Sequence, residues 1–164
     1  MSSPNNSGAL PSSGRSPHVT PRQKAREIAF QFIYRYDNFA APVAIFDEFT
    51  KHAEHFNCPP ESFEFAARLA ETTLKQLTAI DEMIQKHAQN WRLERIGAVD
   101  KAMLRMGIAE LMFFKDVPTA VTLNEVVELS KDFGEAETPA FINGLLDPIS
   151  REPMVLAGKV ASSS

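Results

Sequence analysis

The sequence predicts an all-α fold of about six to seven helices. Apolar residues recur at intervals of three and four along most of residues 21–149, which is the period of an amphipathic helix. Residues that start or end helices, chiefly proline, threonine and glycine, separate these stretches. No stretch shows the strict alternation of polar and apolar residues that is typical of a β-strand. A chain of 164 residues is long enough for one domain with a substantial core.

The predicted domain occupies residues 21–150, between two segments that offer little to a core. Residues 1–20 are dominated by Ser, Pro, Asn and Gly. A segment of that composition cannot offset the entropy of its ordering by burying apolar surface. We therefore predict a disordered leader over residues 1–20, and a flexible tail over residues 151–164.

Three helices are predicted in the first half of the chain, each with helical spacing of its apolar residues. They span about Arg22–Tyr36, Pro42–Phe56 and Glu61–Gln89. Pro21 suits the start of the first helix, because proline is favoured at the first helical position. The second helix is expected to bury Val43, Phe46 and Phe49.

A fourth helix, about Ala98–Phe114, is apolar on nearly every side and is therefore predicted to be central in the fold. Its charged side chains must reach solvent or find partners. These are Lys101, Arg105 and Glu110.

Two further helices follow. Thr122 and Glu125 have the spacing of a capping box, which predicts a helix start, and Gly134 would end that helix. Thr138, followed by a proline, predicts the start of the last helix, which extends to about Ile149. Gly144 inside this helix costs about 1 kcal/mol relative to alanine. That cost indicates close packing of another helix or approach of a ligand, and packing is the preferred interpretation.

Charge is distributed unevenly along the chain. Residues 1–36 carry five Lys or Arg and one acid, whereas the rest carries 12 Lys or Arg and 20 Asp or Glu. Such a positive head on an acidic body indicates a specific anionic partner. Contact of Arg22, Lys24 and Arg26 with phosphates of single-stranded RNA is one interpretation, with Phe30 or Tyr34 stacking on a base. An ordinary solvated helix face is the other, and charge alone slightly favours it.

Other classes of function find little support. The sequence has no uninterrupted apolar run near ~20 residues, so no membrane span is predicted, and it has no signal-peptide core. One cysteine, Cys58, excludes an internal disulfide and fits a cytoplasmic protein. Nucleotide-binding and nucleophile motifs are absent, so neither an enzyme nor a cofactor is predicted. Glu48, His52 and His55 could sketch a metal site, but a solvated helix surface is the preferred interpretation.

Four segments together resemble the NusB family of transcription antitermination factors. They are RQKAREIAFQFIY, IGAVDKAMLRMGIAEL, DVPTAVTLNEVVELSKDFG and TPAFINGLLD. The resemblance covers roughly residues 21–150 and implies two packed helical subdomains without enzymatic activity. It further implies that the protein binds the boxA element of ribosomal RNA transcripts together with NusE, a small-subunit ribosomal protein. The pair would join RNA polymerase and other Nus factors and suppress premature termination.

The resemblance also assigns roles to residues. RNA-binding positions match Arg22, Lys24, Arg26, Tyr34 and Phe141. Phe141 would otherwise fit either the core or a stacking surface. The positions that face NusE match Asp100 and Arg105. Glu137 matches an acidic position ahead of Phe141, where a carboxylate would repel phosphate and moderate RNA affinity.

The sequence departs from the family at Gln23, which replaces a frequent basic residue. RNA affinity without NusE is therefore expected to be weak. An alternative function is that of a helical interaction module, accessory to a factor that modifies ribosomal RNA or assembles ribosomes. The sequence leaves open whether the protein is a monomer or a homodimer.

Overall fold

The protein is described by a computed structural model covering residues 19–37, 39 and 44–163. This part contains eight α-helices and one short 3-10 helix but no β-strand, which confirms the predicted all-α class. The α-helices are α1 (Pro21–Tyr36), α2 (Ile45–His55), α3 (Pro60–Lys75), α4 (Leu77–His87), α5 (Ala98–Phe113), α6 (Thr119–Phe133), α7 (Thr138–Ser150) and α8 (Pro153–Ser163). The 3-10 helix, Leu93–Arg95, lies between α4 and α5. Within the described ranges, no helix is both long enough and apolar enough to cross a membrane.

Helix α5 is the centre of the fold, as its apolar composition predicts. It packs against α1, α3, α4, α6, α7 and α8. Its buried residues include Met103, Leu104 and Ile108, none of which has exposed surface. At Gly107 an added Cβ would lie 3.0 Å from the Leu146 side chain, so this glycine allows α7 to approach closely. The two groups of helices, α1–α3 and α4–α8, therefore share one hydrophobic core.

The start of α1 corrects the predicted extent of the disordered leader. Residues 1–18 lie outside the described part, but Thr20 is the N-cap of α1. Its hydroxyl accepts a hydrogen bond from the Gln23 backbone N–H at 3.1 Å, and the Gln23 side chain accepts one from the Thr20 backbone at 3.0 Å. This is a capping box, with Pro21 following the cap as predicted. Gln23 therefore has a structural role at the helix start.

Helices α2, α3 and α4 differ from their predicted bounds. Pro42 and Val43 lie outside the described residues, and α2 starts at Ile45. Phe49 is buried as predicted, but the expectation for Phe46 was wrong, since 48% of it is exposed. The long third helix divides into α3 and α4 at Gln76, whose φ and ψ of −111° and 24° interrupt the helix.

The predicted capping box at Thr122 is also wrong. The N-cap of α6 is Pro118, four residues before Thr122, so Thr122 lies within the helix. Its hydroxyl is buried and donates to Glu110 Oε2 at 2.6 Å. A buried carboxylate such as that of Glu110 needs hydrogen-bond donors. Thr122 supplies one of them and therefore does not cap the helix.

The end of the chain departs from the prediction as well. Helix α7 begins one residue earlier than expected, with Glu137 at the N-cap, and continues through Pro148 to Ser150. The segment predicted to be a flexible tail forms α8, which buries Val155. Lys159 Nζ donates to the backbone carbonyls of Glu110, Phe114 and Val117 at 3.2, 2.5 and 2.7 Å. These bonds place a cation at the C-terminal end of α5, where the helix dipole favours it.

Candidate nucleic-acid interface

Arg22 and Lys24, the two cations at the start of α1 whose side chains retain exposure, contact different neighbours. The Arg22 guanidinium lies 4.3 Å from the centroid of the Phe65 ring on α3, and its Nη2 is 3.8 Å from Asp116 Oδ2. About half of the Arg22 side chain remains exposed. Lys24 is partly exposed, and its Nζ lies 3.7 Å from Glu27 Oε2. Both cations can therefore still reach an anion in solvent, and phosphate contact by these two residues stays a prediction.

Arg26 was predicted to contact phosphate, and the structure corrects that prediction. Its Nε donates to Glu110 Oε1 at 2.9 Å and its Nη2 to Glu110 Oε2 at 2.6 Å. Only 2% of Arg26 is exposed. A guanidinium in that position is committed to the core and cannot reach a phosphate.

Phe30 and Tyr34, the two aromatic side chains of α1 that were predicted to stack on a base, differ in their exposure. Phe30 is fully buried, so its predicted role as a stacking ring is wrong. Tyr34, one turn later, is half-buried, with its ring centroid 6.3 Å from that of Phe30. Phe30 in turn contacts Phe133 at the end of α6, at 5.1 Å. The packing therefore places Tyr34 on the side of α1 that leads to the turn between α6 and α7.

That turn carries the other predicted site residues. Glu137 is exposed at the N-cap of α7, and Phe141 is half-buried one turn later. The Phe141 ring contacts the ring of Trp91 edge to face, with 6.1 Å between centroids and 71° between planes. Phe141 is thus a partly exposed ring that belongs to an aromatic pair.

Gly144 was predicted to allow another helix to pack closely, and the structure shows otherwise. The residue is exposed, and an added Cβ would meet no atom within 4 Å. It lies three residues after Phe141, on the same side of α7. The surface beside Phe141 is therefore open to solvent, which leaves approach of a ligand as the remaining interpretation.

Asp100 and Arg105 lie on different sides of α5. Asp100 Oδ1 accepts a hydrogen bond from the Thr138 hydroxyl at 3.1 Å, next to Glu137. Arg105 donates to both carboxylate oxygens of Asp81 on α4, through Nε at 2.9 Å and Nη2 at 2.8 Å. Arg105 is nearly buried, and one atom of its guanidinium is 3.6 Å from Asp37 Oδ1. A partner protein could therefore contact only the small exposed part of Arg105, which is already paired with Asp81.

The predicted site residues do not form one small patch. Arg22 and Tyr34 are twelve residues apart on one helix, which corresponds to about 18 Å along its axis. Phe141 and Glu137 lie on α7, beyond the end of α6. A ligand that touches all of these residues must be extended, as a single strand of several nucleotides is.

Glu48, His52 and His55 were predicted to lie on a solvated helix surface, with a metal site as the alternative, and for His52 both interpretations are wrong. His52 is buried, with Nε2 3.0 Å from the Ile28 carbonyl and Nδ1 2.9 Å from Arg35 Nη1. Both ring nitrogens are therefore occupied by protein groups. Burial, followed by the nearby Arg35 charge, lowers the pKa of His52 from 6.5 to about 4. In the part of the chain that the structure describes, no group of three or more potential ligands is arranged to hold a metal.

Trp91 is the residue of this surface that the sequence pattern did not identify. It lies in the connector between α4 and α5, where no periodicity predicted its surroundings. More than half of it, 54%, is exposed. An exposed tryptophan is uncommon enough to have served as a signal, because this residue is usually highly buried.

Comparison with known proteins gives a consistent result. A sequence model of the NusB family matches residues 23–151. The transcription antitermination protein NusB of a Nitratiruptor species is 40% identical over 134 residues, which cover 82% of this chain and 94% of that protein. The corresponding protein of Myxococcus xanthus is 39% identical over 131 residues, covering 79% and 94%.

Solved structures resemble the whole helical domain. T. maritima NusB aligns with a TM-score of 0.71 and 29% identity, covering 81% of this chain and 92% of that one. A crystal structure of the antitermination factors NusB and NusE in complex with double-stranded RNA aligns with a TM-score of 0.71 and 30% identity, covering 80% and 96%.

Proposed function

We propose that this chain, which belongs to the NusB family of transcription antitermination factors, binds the boxA element of ribosomal RNA transcripts together with NusE. Its binding would suppress premature termination of those transcripts. Members of this family are transcription factors and not enzymes. RNA polymerase and the other Nus factors would be engaged indirectly, in the cytoplasm, through the complex of RNA, NusE and this protein.

The observation that carries the proposal is the pair of partly exposed rings, Tyr34 on α1 and Phe141 on α7, two helices that both pack against α5. Rings of this kind stack on unpaired bases, each contributing about 1–3 kcal/mol. Arg22 and Lys24 would add contacts to phosphates at the other end of α1. Arg26 is left out, because it forms part of the core.

The proposed contact with NusE uses Asp100 and Arg105 on α5. Asp100 is bonded to Thr138, the first residue of α7, and Glu137 precedes that residue directly. A protein bound at Asp100 would therefore stand beside the start of α7, close to the proposed RNA site. RNA that crosses this point would touch both proteins, which favours joint binding over binding to either alone.

Titration of a fluorescently labelled single-stranded boxA RNA tests this proposal. Anisotropy would be measured with and without NusE, at two salt concentrations, beside an RNA of the same composition in scrambled order. We expect NusE to strengthen boxA binding by about tenfold or more, within the usual range of coupling between two sites. The scrambled RNA should gain less.

Two variants test whether the proposed residues are responsible for the binding seen in the titration. Changing Arg22 and Lys24 together to Ala should flatten the plot of log affinity against log salt by about 1.4, since each phosphate contact to a single strand contributes about 0.7. Asp100→Lys should abolish the gain from NusE but retain the weak binding of RNA alone. Equal binding of both RNAs, with no gain from NusE, would contradict the proposal.

A further inference from the structure

A second surface with aromatic and cationic character lies beside Phe141, in the connector between α4 and α5. It consists of Trp91, Arg92 and Arg95, all of which are exposed. Trp91 is the only tryptophan of the chain.

The connector is held in a defined position by one side chain of α4. Gln85 Nε2 donates to the Trp91 carbonyl at 2.7 Å and to the Ala88 carbonyl at 3.2 Å. Gln85 Oε1 accepts a hydrogen bond from the Leu93 backbone N–H at 3.1 Å. The connector bearing the exposed ring is therefore fixed to the fold on both sides of Trp91.

The two arginines of the connector differ from the others of the described chain. Every other described arginine contacts an acid or a histidine. The pairs are Arg22 with Asp116, Arg26 with Glu110, Arg35 with His52, Arg68 with Asp116, Arg105 with Asp81 and Arg151 with Asp147. Arg92 and Arg95 form no such pair with any described residue, and the one acid between them, Glu94, is exposed. Their charges are therefore available to an anion from solvent.

This surface is continuous with the proposed RNA site. The Trp91 and Phe141 rings are in edge-to-face contact, and open space lies over Gly144 on the same side of α7. An exposed indole beside two guanidinium groups that form no ion pair with a described residue has the composition of a site for single-stranded nucleic acid, in which rings stack on bases and cations contact phosphates. Tryptophan and arginine are also frequent in protein interfaces, and here the contact between Trp91 and Phe141 is what favours RNA, because it joins this surface to the proposed RNA site.

We propose that Trp91, Arg92 and Arg95 bind nucleotides of single-stranded RNA adjacent to those bound at Phe141. Trp91 stacks on a base, and the two guanidinium groups contact its flanking phosphates. This subsite rests on the proposed function, and it extends the path of the RNA from α7 onto the connector before α5.

The single tryptophan provides a direct measurement. Emission excited at 295 nm would be followed while unlabelled boxA RNA is added to the full-length protein with NusE, and the same titration would be run on Trp91→Phe. The difference between the two signals reports Trp91 alone. We expect this difference to fall as RNA binds, with the same midpoint as the anisotropy of labelled RNA.

Affinity provides an independent measurement. Trp91→Leu should weaken RNA binding by about tenfold, and Trp91→Phe by less, because a smaller ring still stacks. Arg92→Gln with Arg95→Gln should flatten the salt dependence by about 1.4 in slope. Phe46→Leu and Arg151→Gln are matched controls on exposed sites and should change neither quantity.

The outcomes separate this subsite from the proposed function. No anisotropy change with any RNA would overturn the proposed function and this subsite together. RNA binding with constant Trp91 emission, and with unchanged affinity in Trp91→Leu, would overturn the subsite alone. A change in Trp91 emission on adding NusE without RNA, with no further change on adding RNA, would instead assign this surface to the partner protein.

Discussion

Arg26 and Glu110 form a buried ion pair that joins α1 to the central helix α5. Two hydrogen bonds of 2.9 and 2.6 Å connect the guanidinium to the carboxylate, and the Thr122 hydroxyl adds a third at 2.6 Å. Neither charged side chain has appreciable exposure. One of the three cations that the sequence assigned to RNA is therefore part of the structural framework on which the RNA site depends.

Replacing Arg26 by Ala should destabilise the fold rather than weaken an RNA contact. The change leaves the Glu110 carboxylate buried without its counter-charge, which costs about 3–5 kcal/mol in comparable cases. Urea unfolding followed by circular dichroism measures this loss. Arg22→Ala, at an exposed position of the same helix, should cost less than about 1 kcal/mol.

A double variant separates the buried charge from the lost packing. Arg26→Met with Glu110→Leu removes both charges together and should recover most of the stability lost in Arg26→Ala. Unfolding of Arg26→Ala at the same urea concentration as wild type would contradict a structural role for the ion pair.

Substitutions of the exposed rings should weaken RNA binding without destabilising the fold, the reverse of the effect expected for Arg26→Ala. Tyr34→Leu and Phe141→Leu should each weaken RNA binding by about 1–3 kcal/mol, because a base loses its stacking partner. Both side chains are only half-buried, so unfolding should change little. Phe46→Leu on α2 is the control, since it removes a ring that is 48% exposed. Equal RNA affinities for all three variants would argue against stacking at Tyr34 and Phe141.

Glu137 should limit RNA affinity. The side chain is exposed at the start of α7, and a carboxylate within about 4 Å of a phosphate costs about 1 kcal/mol in water. Glu137→Gln should therefore strengthen RNA binding several-fold, more at low salt than at high salt. Glu48→Gln, which removes an acid on α2, provides the comparison. If Glu48→Gln strengthened RNA binding by the same factor, the effect of Glu137→Gln would reflect the net charge of the protein and not the position of Glu137.

His52 should make the stability of the fold depend on pH. Its pKa in the folded protein is about 4, against 6.5 ordinarily, because burial disfavours the charged ring. Between these values the unfolded chain binds more protons, so stability is lost as the pH falls below 6.5. The slope approaches about 1.4 kcal/mol per pH unit, which gives about 2 kcal/mol between pH 7 and pH 5.

The control for this effect is His52→Gln, whose amide can donate to the Ile28 carbonyl and accept from Arg35. Urea unfolding would be measured at pH 7 and pH 5 for both proteins. The contribution of the carboxylates to the pH dependence is common to both and cancels in the difference. Wild type should lose about 2 kcal/mol more than the variant. Parallel losses would show that His52 does not remain neutral in the folded protein.

Local patterns predicted the helices that have strong periodicity and clear boundaries. Helix α1 begins at Pro21 and α5 spans Ala98–Phe113, each within a residue of its prediction. Helix α8 was missed, because Val155 and Lys159 are ordered by contacts with distant parts of the chain. No local pattern contains that information.

The same distinction applies to the candidate site. The sequence pointed to Tyr34, Glu137 and Phe141, and the structure places all three at least partly on the surface. It could not separate Arg22 from Arg26, since the partner that buries Arg26 lies 84 residues away. Trp91 was overlooked because its importance depends on its contact with Phe141 on another helix.

The most direct test of the account is to map where RNA lies on the protein. Single-stranded boxA RNA carrying 5-iodouridine would be cross-linked by ultraviolet light to the complex with NusE, and the attached peptides identified by mass spectrometry. We predict cross-links to the peptides that contain Tyr34 and Phe141. Cross-links confined to the peptides that contain Phe46 on α2 and Phe63 on α3 would contradict the account.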